Sequence, residues 1–456
     1  MSPTRVVVVG ADAAGMSAAH QALRTAERTG RELAVTVLDR GTHTSYSACG
    51  IPYWMAGDLD SGDDLIARTA HAHRHAGIDL RMSTEVVAAD LDARTVTTDA
   101  GEVVGYDELV VATGSPAVVP DWALGPDGTT YDGVGAVKTL DDGAAWVRRF
   151  AGAGAGARVV VVGGGYVGVE VAEAALRRGF AVTVLTRGRG MSMLEDDMAQ
   201  LVNAAMTQAG AELVLGAEVT GLDIDGDRVR GVRWDGGRRE ADLVVLAIGV
   251  RPATGFLRGT GIALTDAGAL RPDPHGRVAE HVWAAGDCCE VRRRIDDTWV
   301  FRALGTYATK HGRALGDSLA GGSLCFDGMV DTSITRFSIG EVHVEIARTG
   351  LSRKDAVTAG FDPVALVTKG TTASGYMPEA EAIALWVMAD RTTRRLLGVQ
   401  VVGGQGAGKR IDAAAAVLWA GGTVDDLAWM DLAYAPPFAT AWEILQVAAR
   451  RVAERL

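Results

Sequence analysis

Cysteine is scarce in this chain, with four residues among 456. So few thiols exclude a disulfide-stapled secreted fold and favour a reducing cytoplasm. No apolar stretch approaches the roughly 20 residues that cross a bilayer, and a first predicted strand at Val6 to Val9 leaves no room for a secretory signal. The 45 Lys and Arg are outnumbered by 57 Asp and Glu, and this net charge of −12 argues against nucleic acid or an anionic membrane as a partner. No spacing of His and Cys resembles a metal site.

Glycine, in contrast, is abundant, with 58 residues, and it marks two copies of one design. Each copy has an apolar strand, a glycine turn, a helix and a second strand, which predicts a βαβ unit of a parallel α/β sheet. A further strand, ending in a turn of small residues, follows each copy. The first copy runs from Arg5 through Gly15 to Asp39, with the later strand at Leu109 to Gly114; the second runs from Arg158 through Gly168 to Leu185, with the later strand at Leu243 to Gly249. The repeat is a stronger signal than either copy alone.

The first glycine turn departs from the dinucleotide-binding pattern, because Asp12 stands in place of the middle glycine. A pyrophosphate needs close backbone approach and free N–H groups at a helix N-terminus. Such a turn alone also fits a βαβ unit that binds nothing. Asp39, however, ends the second strand 24 residues after Gly15, where a carboxylate accepts hydrogen bonds from ribose hydroxyls. The turn therefore predicts a dinucleotide site that includes Gly10, Asp12, Ala13, Ala14, Gly15 and Asp39.

A later segment, Val282-Trp-Ala-Ala-Gly286-Asp287, predicts a strand that delivers an aspartate to a turn. It resembles the second FAD fingerprint of flavoproteins with two dinucleotide-binding domains, in which this aspartate bonds the flavin ribityl chain. An isolated aspartate at a strand end also commonly caps the next helix. Together with both glycine turns, the resemblance implies FAD, with contacts at Arg40, Ser47, Val86, Ala112, Thr113, Gly114 and Asp287.

The second glycine turn is complete, and the residues after its second strand separate the two nicotinamide nucleotides. An acid there holds the ribose hydroxyls of NADH, whereas a small residue followed by arginine suits the 2′-phosphate of NADPH. The chain has Thr186-Arg187-Gly-Arg189 and no acid, which favours NADPH, with NADH left open. The alternative is that both arginines are solvated loop charges. The predicted site comprises Gly163, Gly165, Tyr166, Val167, Gly168, Glu170, Thr186, Arg187, Arg189 and Gly249.

Cys49 follows Asp39 by ten residues, in the segment Tyr46-Ser-Ala-Cys-Gly-Ile-Pro-Tyr53. A helix is predicted to begin here beside the flavin ring, and a helix N-terminus lowers the pKa of a thiol, whose thiolate is the reactive form. A lone cysteine is more commonly a buried structural residue. The place of Cys49 after the ribose-binding acid favours a redox role.

The order of these motifs resembles the pyridine nucleotide-disulfide oxidoreductases over essentially the whole chain. Thr44 stands where the glutathione, lipoamide and mercuric reductases carry a second cysteine, and the C-terminus lacks their His-Pro and Glu pair. The single-cysteine branch remains: NADH peroxidases, NAD(P)H oxidases and coenzyme A-disulfide reductases. The stretch Ala11 to Ala14 lacks the histidine of the peroxidases.

Three C-terminal segments resemble coenzyme A-disulfide reductases: Leu432 to Phe438, Gly375 to Pro378 and Lys409 to Asp412. The resemblance implies a homodimer in which Tyr376 and Tyr434 of one subunit lie over Cys49 of the other and assist the leaving thiol. It also implies a thiol ligand at Ser17, Gln21, Arg24 and Ser45. The chain departs from the group at Ala48, Thr309 and Trp442, where an asparagine, a histidine and a lysine occur, so binding of coenzyme A stays open.

The resemblance implies an α/β fold with two Rossmann-like domains and a C-terminal α+β dimerisation domain. We expect an FAD-binding domain at 1–118 and 256–322, an NAD(P)-binding domain at 119–255 and a dimerisation domain at 323–456. In the last, strands are predicted at Ser333 to Ile346, Ala382 to Met388 and Leu396 to Val402, with helices at Arg410 to Ala420 and Thr440 to Arg455.

The expected function is NAD(P)H-dependent reduction of a low-molecular-weight disulfide or persulfide through FAD and Cys49. An alternative is an NAD(P)H oxidase that reduces oxygen at the flavin, with a sulfenic acid at Cys49. A third is a flavin-bound protein that delivers electrons to a partner or senses redox state, with Cys49 structural.

Overall fold

Two runs of valine, Val6–Val9 and Val159–Val162, are fully buried, as the central strands of parallel sheets must be. Their β-branched side chains are restricted at χ1 and pack well on a pleated surface, which favours strand over helix. The computed structural model describes residues 2–456. It places each valine run within a separate parallel sheet.

The first unit contains strands β1 (Thr4–Val9), β2 (Leu33–Leu38), β3 (Asp79–Arg81), β4 (Val86–Asp90), β5 (Thr95–Thr98), β6 (Val103–Gly105) and β7 (Glu108–Val111), and helices α1 (Ala13–Thr29), α2 (Ile51–Ala56) and α3 (Ala70–His75). Strands β7, β1, β2 and β3 are neighbours in that order and run parallel. Strands β4, β5 and β6 form a separate antiparallel sheet.

The second unit contains β8 (Val134–Ala136), α4 (Leu140–Gly152), β9 (Arg158–Val162), α5 (Tyr166–Arg177), β10 (Ala181–Thr186), α6 (Asp196–Gln208), β11 (Glu212–Leu215), β12 (Val219–Asp225), β13 (Arg228–Trp234), β14 (Gly237–Glu240) and β15 (Leu243–Leu246). Its parallel sheet has the order β11-β10-β9-β15-β8, and β12, β13 and β14 form a small antiparallel sheet.

The chain then returns to the first sheet with β16 (Arg277–Ala279) and β17 (Val282–Ala284), and continues through a separate two-stranded sheet of β18 (Glu290–Arg293) and β19 (Thr298–Phe301) to α7 (Gly305–Leu319). Strand β17 runs parallel to β7, with Val282 opposite Leu109, and β16 pairs antiparallel on its outer side. The first sheet therefore combines two parts of the chain that are separated by the whole second unit.

Helix α7 packs directly on α1, and glycine makes the approach possible. A Cβ at Gly312 would lie 2.1 Å from the Ala14 carbonyl oxygen, and one at Gly316 would lie 2.2 Å from the Ala18 oxygen. Because both oxygens belong to the backbone, a side chain at either glycine must push the two helices apart. This contact fixes the returning segment against the helix that follows the first glycine turn.

The C-terminal region contains β20 (Ser333–Ile339), β21 (Val342–Gly350), α8 (Arg353–Thr358), β22 (Pro363–Thr371), β23 (Ala382–Asp390), β24 (Leu396–Gly403), α9 (Ile411–Trp419), α10 (Val424–Trp429) and α11 (Ile444–Ala453). The five strands form one antiparallel sheet in the order β20-β21-β24-β23-β22, flanked by helices, which confirms the predicted α+β class. No helix within residues 2–456 has the length and apolar character needed to cross a membrane.

Three local predictions for this region are wrong. The stretch predicted as a strand from Ser333 to Ile346 forms two strands, because Gly340 adopts a φ of 56° and turns the chain. Strand β22 was not anticipated. The last helix starts at Ile444 instead of Thr440, since the Glu443 carboxylate caps it by accepting the Leu445 N–H.

We expect Gly316→Ala to destabilise the protein by about 1–3 kcal/mol, because the added methyl group overpacks the contact between α1 and α7. The midpoint of thermal unfolding of the flavin-loaded protein measures the effect. Gly305→Ala is the matched control, since it lies on the same helix and a Cβ there would meet no atom within 4 Å. Equal midpoints for the two variants would contradict the packing argument.

Candidate active site

The first glycine turn is compressed against the end of β7. A Cβ at Gly10 would lie 2.1 Å from the Ala112 oxygen, and one at Gly15 would lie 1.8 Å from the Gly10 oxygen. Gly10 also has a φ of 110°, a conformation that side chains disfavour. Only glycine fits these two positions, which brings the start of α1 close to the ends of β1 and β7.

Asp39 lies beside this turn, at the end of β2. Its Oδ2 accepts the Ala11 N–H at 2.6 Å and its Oδ1 accepts the Gly41 N–H at 2.6 Å. The carboxylate is therefore held at the edge of the turn, where a ribose would lie. Three other residues predicted to contact FAD are placed as follows. Arg40 forms a salt bridge with Glu85 at 3.6 Å, and Val86 begins β4 and is buried. The Ser47 N–H donates to the Leu65 oxygen at 2.8 Å.

The helices that begin at the two glycine turns have no side-chain cap, a property they share with α2, α6, α7 and α9. Neither Asp12 before α1 nor Gly165 before α5 makes a side-chain capping hydrogen bond, whereas Thr139 caps α4 and Thr423 caps α10. A Cβ at Gly165 would meet no atom within 4 Å, so the space beside that turn is open. Free N–H groups at an open helix start fit a pyrophosphate at each turn.

Asp12 introduces a titratable group into the first turn. Burial, and next the negative charge of Asp39, raise the pKa of Asp12 from 3.8 to about 6. A phosphate beside this carboxyl disfavours the charged form in the same way. The protonated form of Asp12 is therefore the one compatible with a bound pyrophosphate.

Asp287 follows Gly286 at the end of β17, beside the ends of β1 and β7. Its Oδ2 accepts hydrogen bonds from the Ser115 hydroxyl at 3.1 Å and from Lys138 Nζ at 3.4 Å. Thr113 donates its hydroxyl to the Ala253 oxygen at 2.7 Å, and Gly114 adopts a φ of 66°. The predicted flavin residues thus share one sheet edge, and Lys138, which the sequence did not indicate, joins them.

The second glycine turn repeats the geometry of the first. Gly163 has a φ of 113°, and a Cβ at Gly168 would lie 2.0 Å from its oxygen. Tyr166 begins α5, and its hydroxyl lies 2.6 Å from the Ser333 hydroxyl, while Val167 is exposed and Gly249 adopts a φ of 106°. Tyr166 thereby joins the second glycine turn to β20 of the C-terminal sheet.

The three residues predicted to distinguish NADPH from NADH differ in exposure and in their contacts within the protein. Arg189 donates to the Leu194 oxygen at 2.6 Å and pairs with Asp196 at 2.6 Å. Arg187 is highly exposed and meets only Glu218, at 4.0 Å. Thr186 is half-buried at the end of β10. Arg187 is therefore the guanidinium that a ligand at this strand end can engage without breaking a close internal contact.

Cys49 lies between the two glycine-turn units. It stands in a single 3₁₀ turn, Ala48–Gly50, directly before α2. Ile51 and Met55 on α2 are fully buried in the same core as Trp146 of α4 and Val169 of α5, so α2 is wedged between the units. The Cys49 thiol itself reaches solvent. The helix predicted to begin near Cys49 is confirmed by α2.

The electrostatics of Cys49 differ from the prediction. Burial raises the pKa of the thiol, the negative charge of Glu170 raises it further, and Lys138 opposes them. The prediction that the helix start lowers this pKa is therefore wrong for the protein groups alone. Glu170 accepts the Thr335 hydroxyl at 2.6 Å, and burial, with a contribution from Glu173, raises the pKa of Glu170 to about 7.

The two predicted tyrosines lie on neighbouring C-terminal loops. Ser374 joins these loops, because its N–H donates to the Pro436 oxygen at 2.9 Å and its hydroxyl donates to the Ala439 oxygen at 3.1 Å. Tyr376 is 75% exposed and Tyr434 is 51% exposed. Three further large aromatic side chains are exposed in this region: Trp429, Phe438 and Trp442. So much exposed aromatic surface is typical of an interaction face.

The four residues predicted to hold a thiol ligand have unequal access to it. Ser17 and Ser45 are half-buried and Arg24 is exposed. Gln21 is buried, where its Nε2 donates to Thr25 at 3.1 Å and to Asp317 at 3.3 Å, and its Oε1 accepts from Arg24 at 2.8 Å. Gln21 therefore orients Arg24 from inside the protein.

Histidines beside Ser45 were missed in the sequence. His73 on α3 is buried and lies 3.0 Å from the Ser45 hydroxyl and 2.8 Å from His20. The only local signal was the alternation of histidines along α3, which also fits a solvated helix. Groups of at least three His, Cys, Asp or Glu that could hold a metal do not occur within residues 2–456.

Two glycine turns of the dinucleotide-binding type, with a cysteine in the segment that packs between their units, fit a flavin- and nicotinamide-dependent oxidoreductase. The pyridine nucleotide-disulphide oxidoreductase model matches residues 4–303, and the dimerisation domain of that family matches residues 340–445. The chain belongs to the pyridine nucleotide-disulphide oxidoreductase family, which confirms the predicted resemblance and fold class. It is a flavin-dependent NAD(P)H oxidoreductase.

Three similar proteins cover almost the whole chain. An NAD(P)H coenzyme A polysulfide/persulfide reductase of Pyrococcus horikoshii is 35% identical over 460 residues, which are 98% of this chain and 98% of the relative. A reduced CoADR-RHD of Bacillus anthracis has a TM-score of 0.91 at 26% identity and covers 100% of this chain and 81% of that one. An engineered water-forming NADPH oxidase from Lactobacillus brevis, bound to NADPH, has a TM-score of 0.90 at 25% identity and covers 99% and 98%.

We expect the affinity for FAD to depend on the protonation of Asp12. Since its pKa is about 6, Asp12 is neutral below that pH, and FAD affinity should fall as the pH rises through it, by at most about tenfold per pH unit for one linked proton. We expect Asp12→Asn to flatten this dependence. Dissociation of FAD, followed by flavin fluorescence from about pH 5 to about pH 8, measures it.

Asp127→Asn is the control for this measurement, because Asp127 lies in an exposed turn far along the chain from the first glycine turn. It should retain the slope of the unmodified protein. An Asp12→Asn protein with that same slope would place the titrating group elsewhere.

Proposed function

We propose that this oxidoreductase reduces a low-molecular-weight disulfide or persulfide through a single redox-active cysteine, Cys49. The observation that carries the proposal is the position of this exposed cysteine in the turn directly before α2, a helix that packs between the two glycine-turn units. The similarity to a persulfide reductase and to a coenzyme A-disulfide reductase type of protein supports the same chemistry.

No second sulfur is placed to resolve Cys49 within the chain. Cys288 and Cys289 are fully buried, and the Cys288 thiol donates to the Val111 and Ala285 oxygens at 3.4 Å. Cys325 is exposed beside Asp327, and Thr44 is buried where a second cysteine would form a dithiol. The disulfide partner of Cys49 must therefore come from the substrate.

The reaction is written as a thiol–disulfide exchange. The Cys49 thiolate attacks one sulfur of R–S–S–R, the S–S bond breaks, a Cys49–S–S–R mixed disulfide forms, and R–S⁻ leaves with a proton. Bound flavin supplies two electrons from NAD(P)H. These electrons and a proton convert the mixed disulfide to the Cys49 thiolate and R–SH. With a persulfide, Cys49 takes the terminal sulfur, and the same two electrons release it as hydrosulfide.

Tyr376 and Tyr434 are proposed to act across a homodimer. Both side chains are exposed in the single chain, and their loops are hydrogen-bonded to each other through Ser374. A partner chain related by twofold symmetry would cover this aromatic face. There, a phenol can donate the proton that the leaving thiolate requires. The matched dimerisation domain supports this arrangement.

An oxidase is the second candidate, and one observation favours it. The engineered oxidase bound to NADPH superposes on this chain over 99% of its length. In such a reaction, oxygen accepts the electrons, and Cys49 would cycle through a sulfenic acid. Turnover with coenzyme A disulfide, a persulfide and oxygen, compared in one preparation, separates the two candidates.

Replacement of Cys49 tests the thiol mechanism directly. In an anaerobic NADPH titration of protein first treated with coenzyme A disulfide and freed of the excess, so that Cys49 carries a mixed disulfide, we expect the unmodified protein to take up two electrons beyond those of the flavin, with a long-wavelength band from the thiolate beside the flavin. Cys49→Ser should take up only the electrons of the flavin, because serine cannot form the disulfide. Cys325→Ser is the matched control, since it removes the other exposed thiol. Unchanged uptake in Cys49→Ser ends the proposal.

Preference for NADPH is proposed to depend on Arg187. In the engineered oxidase, two of five substitutions replace an aspartate by alanine and the following alanine by arginine. Thr186-Arg187 has the same order, a small residue and then an arginine. A guanidinium on a phosphate is worth about 1.5–3 kcal/mol, so Arg187→Ala should raise KM for NADPH about tenfold or more.

The same substitution should leave KM for NADH within about twofold, because NADH lacks the 2′-phosphate. Arg189→Ala should have the smaller effect, since this side chain is already bonded to Leu194 and Asp196. Equal changes for the two nucleotides in Arg187→Ala would show that the residue does not read the phosphate.

A further inference from the structure

A cavity of about 420 Å³ opens at the edge of the second parallel sheet that lies away from its glycine turn. The residues directly before β8, β9 and β15 line it: Gly133, Ala157 and Asp242. Because these strands run parallel, their carboxyl ends, which lead to Gly163 and Gly249, form the opposite edge of the sheet. Open α/β sheets bind their nucleotide at the carboxyl ends of the strands. The cavity is therefore separate from the predicted nicotinamide site.

Arg149 on α4 lines this cavity, and two neighbours hold its guanidinium in place. The guanidinium carbon lies 4.8 Å from the centre of the Trp146 ring, which is a cation–π contact. Trp146 is itself fully buried, and its indole N–H donates to the Ala136 oxygen at 2.8 Å. A Cβ at Gly135 would lie 3.0 Å from Arg149 Nη1, so the glycine in β8 leaves the space that the guanidinium occupies.

No ion pair balances the charge of Arg149. Within residues 2–456, no carboxylate lies within 4.0 Å of this half-buried side chain. Burial lowers the pKa of Arg149, and the charges of Asp132 and Asp142 oppose this effect from a greater distance. A guanidinium nevertheless stays protonated in proteins. A partly buried cation without a partner favours the binding of an anion beside it.

A second guanidinium and a glycine-containing loop line the same cavity. Arg228 begins β13, is exposed and, within residues 2–456, has no carboxylate within 4.0 Å. Loop 153–157 joins α4 to β9, and in the same described range the N–H groups of Gly154, Ala155 and Gly156 donate to no protein group. A Cβ at either glycine would meet no atom within 4 Å, so the space beside the loop is open. Guanidiniums and free backbone N–H groups together suit the oxygens of a phosphate.

The two carboxylates at the cavity differ in their partners. Asp242 accepts the backbone N–H of Arg158 at 2.9 Å, and the Arg158 guanidinium donates to both of its oxygens, at 3.0 and 2.9 Å. Its charge is thereby balanced. Asp132 is exposed, and its side chain accepts no hydrogen bond from residues 2–456. The unbalanced groups are therefore two cations, Arg149 and Arg228, and one carboxylate that can accept a hydroxyl proton.

We propose that this cavity binds a small phosphorylated polyol, the chemical class of the sugar phosphates. Arg149, Arg228 and the N–H groups of loop 153–157 hold the phosphate, and the Asp132 carboxylate accepts a hydrogen bond from a hydroxyl group. The volume lies in the range of small-molecule sites. Among residues 2–456, no aromatic side chain lines the cavity, so a nucleotide base has no stacking surface there. The inference does not depend on Cys49.

Calorimetric titration of the flavin-loaded protein with ribose 5-phosphate tests the site. Saturating NADP⁺ is present throughout, so that the predicted nicotinamide site is occupied. We expect ribose 5-phosphate to bind about tenfold more tightly than inorganic phosphate, because only the sugar supplies a hydroxyl group to the charged acceptor Asp132.

Arg149→Gln should weaken the binding of ribose 5-phosphate by about tenfold or more, because it removes a charge-assisted contact with the phosphate. Arg228→Gln should weaken it in the same direction, and this exposed residue can be replaced without disturbing the core. Arg148→Gln is the matched control, since Arg148 is the adjacent, exposed arginine of α4 and lies outside the cavity lining. The midpoint of thermal unfolding without ligand shows that each variant is folded.

Asp132→Ala should change the affinities for the two probes unequally. It should tighten the binding of inorganic phosphate, because it removes the unbalanced negative charge from the cavity. It should also narrow the preference for ribose 5-phosphate over inorganic phosphate, because the acceptor for the hydroxyl group is lost.

Three results would overturn the inference. The first is the absence of a binding signal with millimolar ribose 5-phosphate. The second is an affinity that is unchanged in both Arg149→Gln and Arg228→Gln, or that falls equally in Arg148→Gln. The third is equal affinity of the unmodified protein for ribose 5-phosphate and inorganic phosphate, which would remove the role of Asp132 and with it the polyol class.

Discussion

The carbonyl oxygens of Ala112 and Ala247 occupy the space that a Cβ would need at Gly10 and Gly163, at distances of 2.1 and 2.2 Å. This contact, repeated in both units, brings three backbone segments together at one sheet edge. The helix that follows begins there without a side-chain cap, which leaves its first N–H groups without a side-chain partner. A negatively charged pyrophosphate satisfies them. The positions of the residues around both predicted cofactor sites depend on how closely β1 approaches β7 and β9 approaches β15.

The cysteine loop uses the gap that the two turns leave between them. Helix α2 belongs to the first unit, where it follows β2 along the chain. Its side chains Ile51 and Met55, however, are buried in a core shared with the second unit. Cys49 therefore senses groups from three regions: Glu170, Lys138 and Asp287. Burial raises the pKa of the thiol most, Glu170 raises it further and Lys138 lowers it, so burial and these two charges together determine how readily the thiolate forms.

The sequence was sufficient for features that are local and periodic. Both glycine turns, the aspartates that end β2 and β17, and the order of the units follow from patterns of fewer than about 30 residues. The contact of Lys138 with Asp287 and the contacts of His73 with His20 and Ser45 were not predicted, since these residues lie on separate segments that only tertiary packing brings together. His73 is an unremarkable residue of a short helix until α1 places His20 beside it. The turn at Gly340 was missed because an apolar alternation continues on both sides of it.

The return of β17 to the first sheet has a consequence for the synthesis of the protein. Strand β7 remains an open edge until residues 282–284 have been made, whereas the second unit is continuous from 134 to 246. During translation, the sheet of the second unit can close first, while the sheet of the first unit still has an unpaired strand and lacks Asp287. The nascent chain must protect that edge from other strands. A ligand that contacts Asp287 at that sheet edge would then also hold the last strand in place.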